Sequence, residues 1–140
     1  MILAGDAEIG QLLERSKTVA VVGASANPAR PSKGVFDALV HGGRFAPTPI
    51  NPTLSEIDGV AAFPTLAAYT AAHGAPDIVD VFRNPAEAPE VTREAIAAGA
   101  KAIWFQLGVV NDDAIATADA AGLDVVVDRC IKIEIARLLR

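Results

Sequence analysis

The stretch VAVVGASANPARPSKG, residues 19–34, decides the fold. Its first part is β-branched and apolar and ends at Gly23, which is typical of a strand buried on both faces. A loop with two prolines, an arginine, a serine and a lysine follows, and it leads into a segment of helical period. We expect Ser32 to cap this helix, which runs to about Val40 and is ended by the glycines of HGG.

The alternation of strand-like and helical segments continues along the chain. Five further runs are interpreted as strands, and they are FAPTPI, GVAAF, DIVDVF, KAIWFQ and LDVVV. Thr65 and Asn111 are expected to cap helices between them, and Gly74 to end one. Pro47 and Pro49 weaken FAPTPI as a strand, because neither can donate to a ladder. The pattern predicts an α/β fold with a three-layer, doubly wound, mostly parallel sheet.

Length and composition favour a single domain over residues 1–140, since 51% of the 140 residues are apolar. The formal charge of -5 and a pI near 4.9 disfavour nucleic acid and acidic membranes as partners. One cysteine excludes an internal disulfide and a multi-cysteine metal site. Neither a signal peptide nor a membrane span is recognisable, so we expect a cytoplasmic protein.

Polar and basic residues follow the carboxyl ends of the expected strands, where doubly wound folds bind ligands. They are Ser25, Asn27, Arg30, Ser32 and Lys33 after the first strand, Asn51 after the second, Arg83 and Asn84 after the fourth, Gln106 and Asn111 after the fifth, and Arg129, Cys130 and Lys132 after the sixth. Five of the twelve Lys and Arg residues of an acidic chain are in this set. The sequence therefore predicts a local anion site, with a helix N-terminus available for phosphate.

The anion is not predicted to be an ordinary nicotinamide dinucleotide. Only Gly23 matches the glycine fingerprint of those sites, because the turn continues as Ala24, Ser25, Ala26 and Asn27. The carboxylate expected at the end of the second strand, which holds a ribose hydroxyl, is replaced by Asn51. A phosphorylated adenosine ligand still fits, and an NAD(P)-dependent oxidoreductase remains an alternative.

Residues for catalysis are scarce. His41 and His73 are expected at helix ends on the pole opposite the anion site, and with one cysteine they offer no metal-ligand spacing. Asp80, inside a buried strand, is interpreted as structural rather than catalytic. Cys130 lies at the start of the last helix, a position that favours a reactive thiolate, although packing as a small apolar side chain is the simpler interpretation. A binding protein is thus favoured over an enzyme.

Five separated motifs resemble one known family. They are VAVVGASANPARPSKGVFDAL, PINP, VDVFRNP, GAKAIWFQLGVVNDDA and AGLDVVVDRCIKIEIARL, and together they extend from about Thr18 to Leu138. The chain resembles the small stand-alone CoA-binding proteins, which are similar to the N-terminal CoA-binding domain of the succinyl-CoA synthetase alpha subunit. The resemblance implies a Rossmann-like domain that binds coenzyme A, or an acyl-CoA, at the carboxyl edge of its sheet.

The resemblance also implies roles for individual residues. Phosphates would be held by Gly23, Ala24, Ser25, Pro28, Arg30, Ser32 and Lys33. The nucleotide would be lined by Asn51 and Pro52, and the other side of the cleft by Phe82, Arg83 and Pro85. Arg129 and Cys130 would lie near the same edge.

Departures from the family bear on the activity. Pro47 interrupts a strand that is otherwise apolar in the family, and Ile135 replaces a residue that is commonly histidine or another polar or aromatic side chain. The synthetase's phosphohistidine belongs to a second domain that this chain lacks, which disfavours ligase activity. The resemblance therefore implies a non-catalytic binding module. Thiol exchange between Cys130 and CoA stays open as an alternative, as does a homodimer or an unidentified protein partner.

Overall fold

The computed structural model describes residues 1–139. Strands and helices alternate in this part of the chain, in the order α1 (Asp6–Arg15), β1 (Thr18–Val22), α2 (Pro31–Gly42), β2 (Ala46–Ile50), β3 (Glu56–Ile57), β4 (Val60–Ala61), α3 (Leu66–His73), β5 (Ile78–Val81), α4 (Ala88–Ala97), β6 (Ala102–Phe105), α5 (Asp112–Ala120), β7 (Asp124–Val127) and α6 (Ile131–Leu138). A short 3-10 turn at Pro85–Glu87 precedes α4.

The main sheet has five parallel strands in the order β2-β1-β5-β6-β7. From β1 the chain first moves outward to β2 and then returns to β5 on the other side. The strand order therefore reverses between β1 and β5, and a crevice opens there at the carboxyl ends of the strands. The predicted doubly wound α/β fold is confirmed.

Alternating side chains of each strand enter two separate cores. Val79 and Val81 of β5 pack in the core covered by α3, α4 and α5. Ile78 belongs to the opposite core, covered by α1, α2 and α6, as do Val21 and Trp104 of the neighbouring strands. The sheet is thus buried on both faces, which explains why its strands are continuous apolar runs in the sequence.

Asp80 interrupts the second of these cores. It pairs in register with Val21 on one side and Trp104 on the other, and it is fully buried. Neither carboxyl oxygen has a hydrogen-bond partner in residues 1–139. Burial raises the pKa of the Asp80 carboxyl well above its ordinary value, because an ionised carboxylate is poorly solvated there.

The two prolines of β2 are accommodated because β2 lies at an edge of the sheet. Ala46 donates to Lys17 O at 2.8 Å, and since side chains and amides alternate with period two, residues 46, 48 and 50 face β1. Pro47 and Pro49 therefore lie on the outer side, where a missing N–H breaks no bond to β1. The strand keeps its full five-residue register with β1.

Local signals in the sequence are largely confirmed, with two corrections. Thr65 and Asn111 cap α3 and α5 through their side chains, and Gly74 ends α3. The expected third strand, GVAAF, is confirmed only in part, because its residues 60–61 pair antiparallel with β3 in a hairpin, while Phe63 forms a single parallel bridge with Ile50 of β2. Ser32 does not cap α2: Pro31 begins the helix, and Arg30 occupies the capping position without a side-chain bond.

The far edge of the sheet, along β7, is covered by the first residues of the chain. Leu3 donates to Val125 O at 2.8 Å, and Val125 donates to Met1 O at 2.9 Å. In residues 1–139, no helix is long and apolar enough to cross a membrane.

Candidate functional site

A cavity of about 670 Å³ lies at the carboxyl edge, beyond the point where the strand order reverses. Its volume falls in the range of small-molecule sites, roughly 300 to 1,000 Å³. The residues around this carboxyl-edge cavity come from the ends of all five strands of the main sheet: Gly23, Ala24, Ser25, Arg30, Pro31, Ser32, Val35, Ile50, Asn51, Pro52, Phe82, Arg83, Asn84, Glu87, Gln106, Leu107, Val109 and Cys130.

Gly23 brings the ends of β1 and β5 together. It has a φ of 86°, and a Cβ added to it would lie 2.2 Å from Phe82 O. Phe82 in turn donates to Val22 O at 2.8 Å. A side chain at position 23 would therefore both strain the backbone and separate two strand ends. The glycine that the sequence analysis singled out serves close approach of two chain segments.

The first wall of the cavity is the β1–α2 loop with the start of α2, namely Gly23, Ala24, Ser25, Arg30 and Ser32. Short-range bonds shape it: Asn27 N–H donates to Ser25 Oγ at 3.0 Å, and Ala29 N–H donates to Asn27 Oδ1 at 3.0 Å. These turns leave Arg30 exposed beside the cavity. Its guanidinium forms no ion pair and no hydrogen bond with the part of the chain that the structure describes.

Ser32 is the second residue of α2 and is only 3% exposed, yet its hydroxyl bonds to no atom of residues 1–139. It borders the cavity. In residues 1–139 the fully enclosed side-chain atoms without a partner are those of Asp80, so the Ser32 hydroxyl is open to the cavity and can bond to a ligand or to water there. The start of a helix also concentrates positive potential. The hydroxyl and the helix end therefore suit an anionic group.

Asn51 borders the cavity, but its amide is already engaged. Its Nδ2 donates to Ala24 O at 2.9 Å, and its Oδ1 accepts from Thr53 N–H at 2.8 Å and from Leu54 N–H at 3.1 Å. Asn51 thus ties the loop after β2 to the loop after β1. Its polar atoms hold the two loops together, and its predicted contact with a ligand stays a prediction.

The second wall follows β5 and consists of Phe82, Arg83, Asn84 and Glu87. Arg83 Nε donates to Glu87 Oε2 at 2.7 Å, and its Nη2 also contacts this oxygen. Asn84 Nδ2 donates to Glu87 Oε1 at 3.1 Å. The second wall therefore presents an arginine whose charge is already paired, in contrast to Arg30 on the first wall.

The floor of the cavity, formed by Gln106, Leu107, Val109 and Cys130, carries no formally charged side chain. Gln106 Oε1 accepts from Ile131 N–H at 3.0 Å, which anchors the end of β6 to the first residue of α6. Cys130 immediately precedes α6, is partly buried and packs against the core.

Four of the residues to which the resemblance gives a role do not border the cavity, namely Pro28, Lys33, Pro85 and Arg129, and neither do Asn27, Asn111 and Lys132 of the wider polar set. Lys33 bonds to Asp37 and Asp58, which raise the pKa of its ammonium. Arg129 donates to Ala4 O at 2.8 Å and lies near Glu134, so its charge is directed toward α1 and α6. Both side chains are thus already engaged, Lys33 by a near neighbour in sequence as well as by a distant one, and their predicted contact with a ligand stays a prediction.

The cavity is also bordered by residues that the sequence did not indicate, and these are Pro31, Val35, Ile50, Glu87, Leu107 and Val109. A signal existed only for Glu87, because it lies four residues after Arg83, a spacing at which opposite charges pair. Gln106 and Asn84 were recognised as residues of the carboxyl edge but were given no role. Neither histidine borders the cavity, and the described residues contain no cluster of metal-ligating side chains.

A model of the family described as CoA binding domain matches residues 17–136. An uncharacterized protein of Bacillus subtilis, YneT, is 39% identical over 127 residues, which are 91% of each chain. A solved structure of a hypothetical protein from Pyrococcus horikoshii is 35% identical, with a TM-score of 0.90 over 98% of this chain and 94% of that one. A protein from Thermus thermophilus is 30% identical, with a TM-score of 0.86 over 97% and 100% of the two chains.

Proposed function

Because this chain belongs to the CoA-binding domain family, we propose that it binds coenzyme A or an acyl-CoA in the carboxyl-edge cavity, as a binding module without a catalytic step. The observation that carries the proposal is the pairing state of the first wall. Arg30 and the Ser32 hydroxyl both border the cavity without partners in residues 1–139. Together with the start of α2, they suit the pyrophosphate of the ligand.

The two walls of the cavity contact different parts of the ligand. The phosphate groups are contacted by the residues of the first wall, which are Gly23, Ala24, Ser25, Arg30 and Ser32. The nucleotide is lined by Asn51 and Pro52. Phe82 and Arg83 close the other side. The Arg83 pair with Glu87 opens or is shared when phosphate approaches, because phosphate competes with the carboxylate for the same guanidinium.

Calorimetric titration with CoA, dephospho-CoA and NADPH tests this function. We expect CoA to bind, dephospho-CoA to bind more weakly because it lacks the 3′-phosphate, and NADPH to bind poorly. The last expectation follows because the turn after β1 keeps only Gly23 of the glycine fingerprint, and because the end of β2 has Asn51, with its amide engaged, rather than an arginine for the 2′-phosphate. Absence of CoA binding, or equal binding of NADPH, would refute the proposal.

A second candidate function is thiol exchange, and the position of Cys130 at the floor of the cavity favours it. In this reaction the Cys130 thiolate attacks one sulfur of CoA disulfide. A Cys130–CoA disulfide forms, and the second CoA leaves as a thiolate, so no further oxidant is consumed. Intact mass after incubation with CoA disulfide should increase by one CoA moiety in the native protein and not in Cys130→Ser. An increase in mass that the serine variant retains would exclude Cys130 as the group that reacts with CoA disulfide.

A further inference from the structure

The side-chain amide of Gln106 uses its oxygen in a hydrogen bond, while its NH2 group forms none with residues 1–139. The side chain is 3% exposed, and its Oε1 accepts from the backbone N–H of Ile131 at 3.0 Å. That backbone group can only donate, so it fixes which end of the amide is the oxygen. The Nε2 group is therefore turned away from α6, and it donates to no acceptor in residues 1–139.

The cavity is the place where this donor can be satisfied. Gln106 borders it, and its unbonded Nε2 group is not among the fully enclosed atoms of residues 1–139, so a ligand in the cavity can reach it. The surrounding floor is apolar, with Leu107, Val109 and the sulfur of Cys130, and Leu107 is 59% exposed. A neutral chain that carries a hydrogen-bond acceptor matches these surroundings better than a phosphate does.

Coenzyme A contains such a chain. Its pantetheine arm is uncharged, has two amide carbonyls and ends in a thiol, and acylation adds a thioester carbonyl. If the phosphates occupy the first wall, the arm extends past Phe82 toward the ends of β6 and β7. There it meets the floor that Gln106, Leu107 and Cys130 form.

We propose that the Gln106 Nε2 group donates to a carbonyl oxygen of the pantetheine arm, and that Gln106 thereby selects ligands that carry this arm over bare nucleotides. This inference rests on the proposed function, because it assumes that CoA occupies the cavity. It assigns Gln106 a binding role beyond its contact with Ile131.

Two variants separate the binding role from the structural one. Gln106→Glu keeps an oxygen for the Ile131 N–H and loses the donor. Gln106→Met is uncharged and loses both groups. Each is titrated with CoA, with acetyl-CoA and with adenosine 3′-phosphate 5′-diphosphate, which has the phosphates and lacks the arm.

We expect the ratio of CoA affinity to nucleotide affinity to fall about tenfold in both variants, the loss of one hydrogen bond to a buried donor. An equal fall for CoA and acetyl-CoA identifies an amide carbonyl as the acceptor. A fall confined to acetyl-CoA identifies the thioester carbonyl. Thermal unfolding of the ligand-free variants shows how far the Ile131 contact contributes to stability.

An unchanged ratio in Gln106→Glu would overturn the inference, whatever Gln106→Met does to stability. The native protein serves as the reference for the underlying function. If it binds CoA and the variants keep its ratio, only the role of Gln106 fails. If the native protein binds no CoA, the proposed function fails with it.

Discussion

Two regions of the molecule hold polar side-chain atoms without a hydrogen-bond partner in residues 1–139, and they differ in their access to the cavity, because only the oxygens of Asp80 are fully enclosed. At the carboxyl edge, Ser32 and Gln106 are nearly inaccessible, but both border the cavity. In the interior of β5, Asp80 is buried between Val21 and Trp104 and does not border it.

The difference shows how a fold tolerates unpaired polar groups. A group beside a cavity can be satisfied by a ligand or by water, so its cost in the free protein becomes a gain in binding. A carboxyl group in an apolar interior has no such route, and it lowers its cost by keeping its proton. The first region is open to a ligand, whereas the second makes stability depend on pH.

The largest expected effect is on the free energy of unfolding, and it comes from a substitution of Gly23 in the cavity region. A methyl group there meets Phe82 O at 2.2 Å and requires an L-residue at a φ of 86°. We expect Gly23→Ala to lower the free energy of unfolding by about 2–4 kcal/mol, because strain and a backbone clash add. Urea unfolding measures it. Gly34→Ala is the control, since no atom lies within 4 Å of the added Cβ, and it should be neutral or stabilising. Equal effects of the two changes would contradict the account.

The interior region is tested by pH. The folded-state pKa of Asp80 is raised above its unfolded value near 3.8, so the folded protein holds a proton that the unfolded chain releases. The contribution of Asp80 to stability is complete below that value. It is then lost by about 1.4 kcal/mol per pH unit as pH rises, until the folded pKa is reached.

Urea unfolding from pH 4 to pH 8 should therefore show a steeper decline in the native protein than in Asp80→Asn, which cannot ionise. Glu90→Gln removes an exposed carboxylate and should leave the native pH dependence unchanged. Parallel curves for the native protein and Asp80→Asn would show that Asp80 does not titrate in this range.

Arg30 tests whether the unpaired charge of the first wall recognises the ligand. We expect Arg30→Ala to weaken CoA binding by about 1–3 kcal/mol, because a charge-assisted phosphate contact is lost. Calorimetric titration measures this. Arg93→Ala, which removes an exposed arginine from α4, should leave the affinity unchanged. The same result for both variants would remove Arg30 from the site.

A smaller effect of opposite sign is expected at the second wall. Glu87→Gln removes the carboxylate that Arg83 contacts and leaves the guanidinium free for phosphate. CoA affinity should rise about two- to fivefold, because an exposed ion pair no longer competes. Unchanged or weaker binding in the same titration would mean that Glu87 orients Arg83 for the ligand.

The smallest effect on binding is expected at Lys33, although it lies only three residues after Arg30. Because Lys33 bonds to Asp37 and Asp58 and does not border the cavity, Lys33→Ala should change CoA affinity less than Arg30→Ala does. Its thermal unfolding temperature should fall, since α2 loses its link to the β3–β4 hairpin. A loss of affinity as large as that of Arg30→Ala would place Lys33 at the phosphates after all.

The sequence predicted those features that depend on local pattern. The buried strands β1, β5, β6 and β7 are apolar runs, and the caps Thr65 and Asn111 act within three residues of themselves. The position of the cavity followed as well, since parallel strands place their carboxyl ends at one edge.

Pairing across long sequence distances was not predictable in this way. Arg129 reaches Ala4, 125 residues away, Lys33 reaches Asp58, and the amide of Gln106 is oriented by Ile131. A list of basic residues after strand ends therefore overestimates the free positive charge of a site. The unpaired positive charges of a site can be counted only when the partner of each basic side chain in the folded structure is known.

The prolines of β2 have a consequence for assembly. One lateral border of the sheet carries Pro47 and Pro49 on its outer side, where Phe63 already bonds to Pro49 O at 3.0 Å, and the opposite border is covered by residues 1–3. Neither border offers a free row of amides to a second copy, so strand-to-strand addition and the fibrillar aggregation that follows from it are hindered.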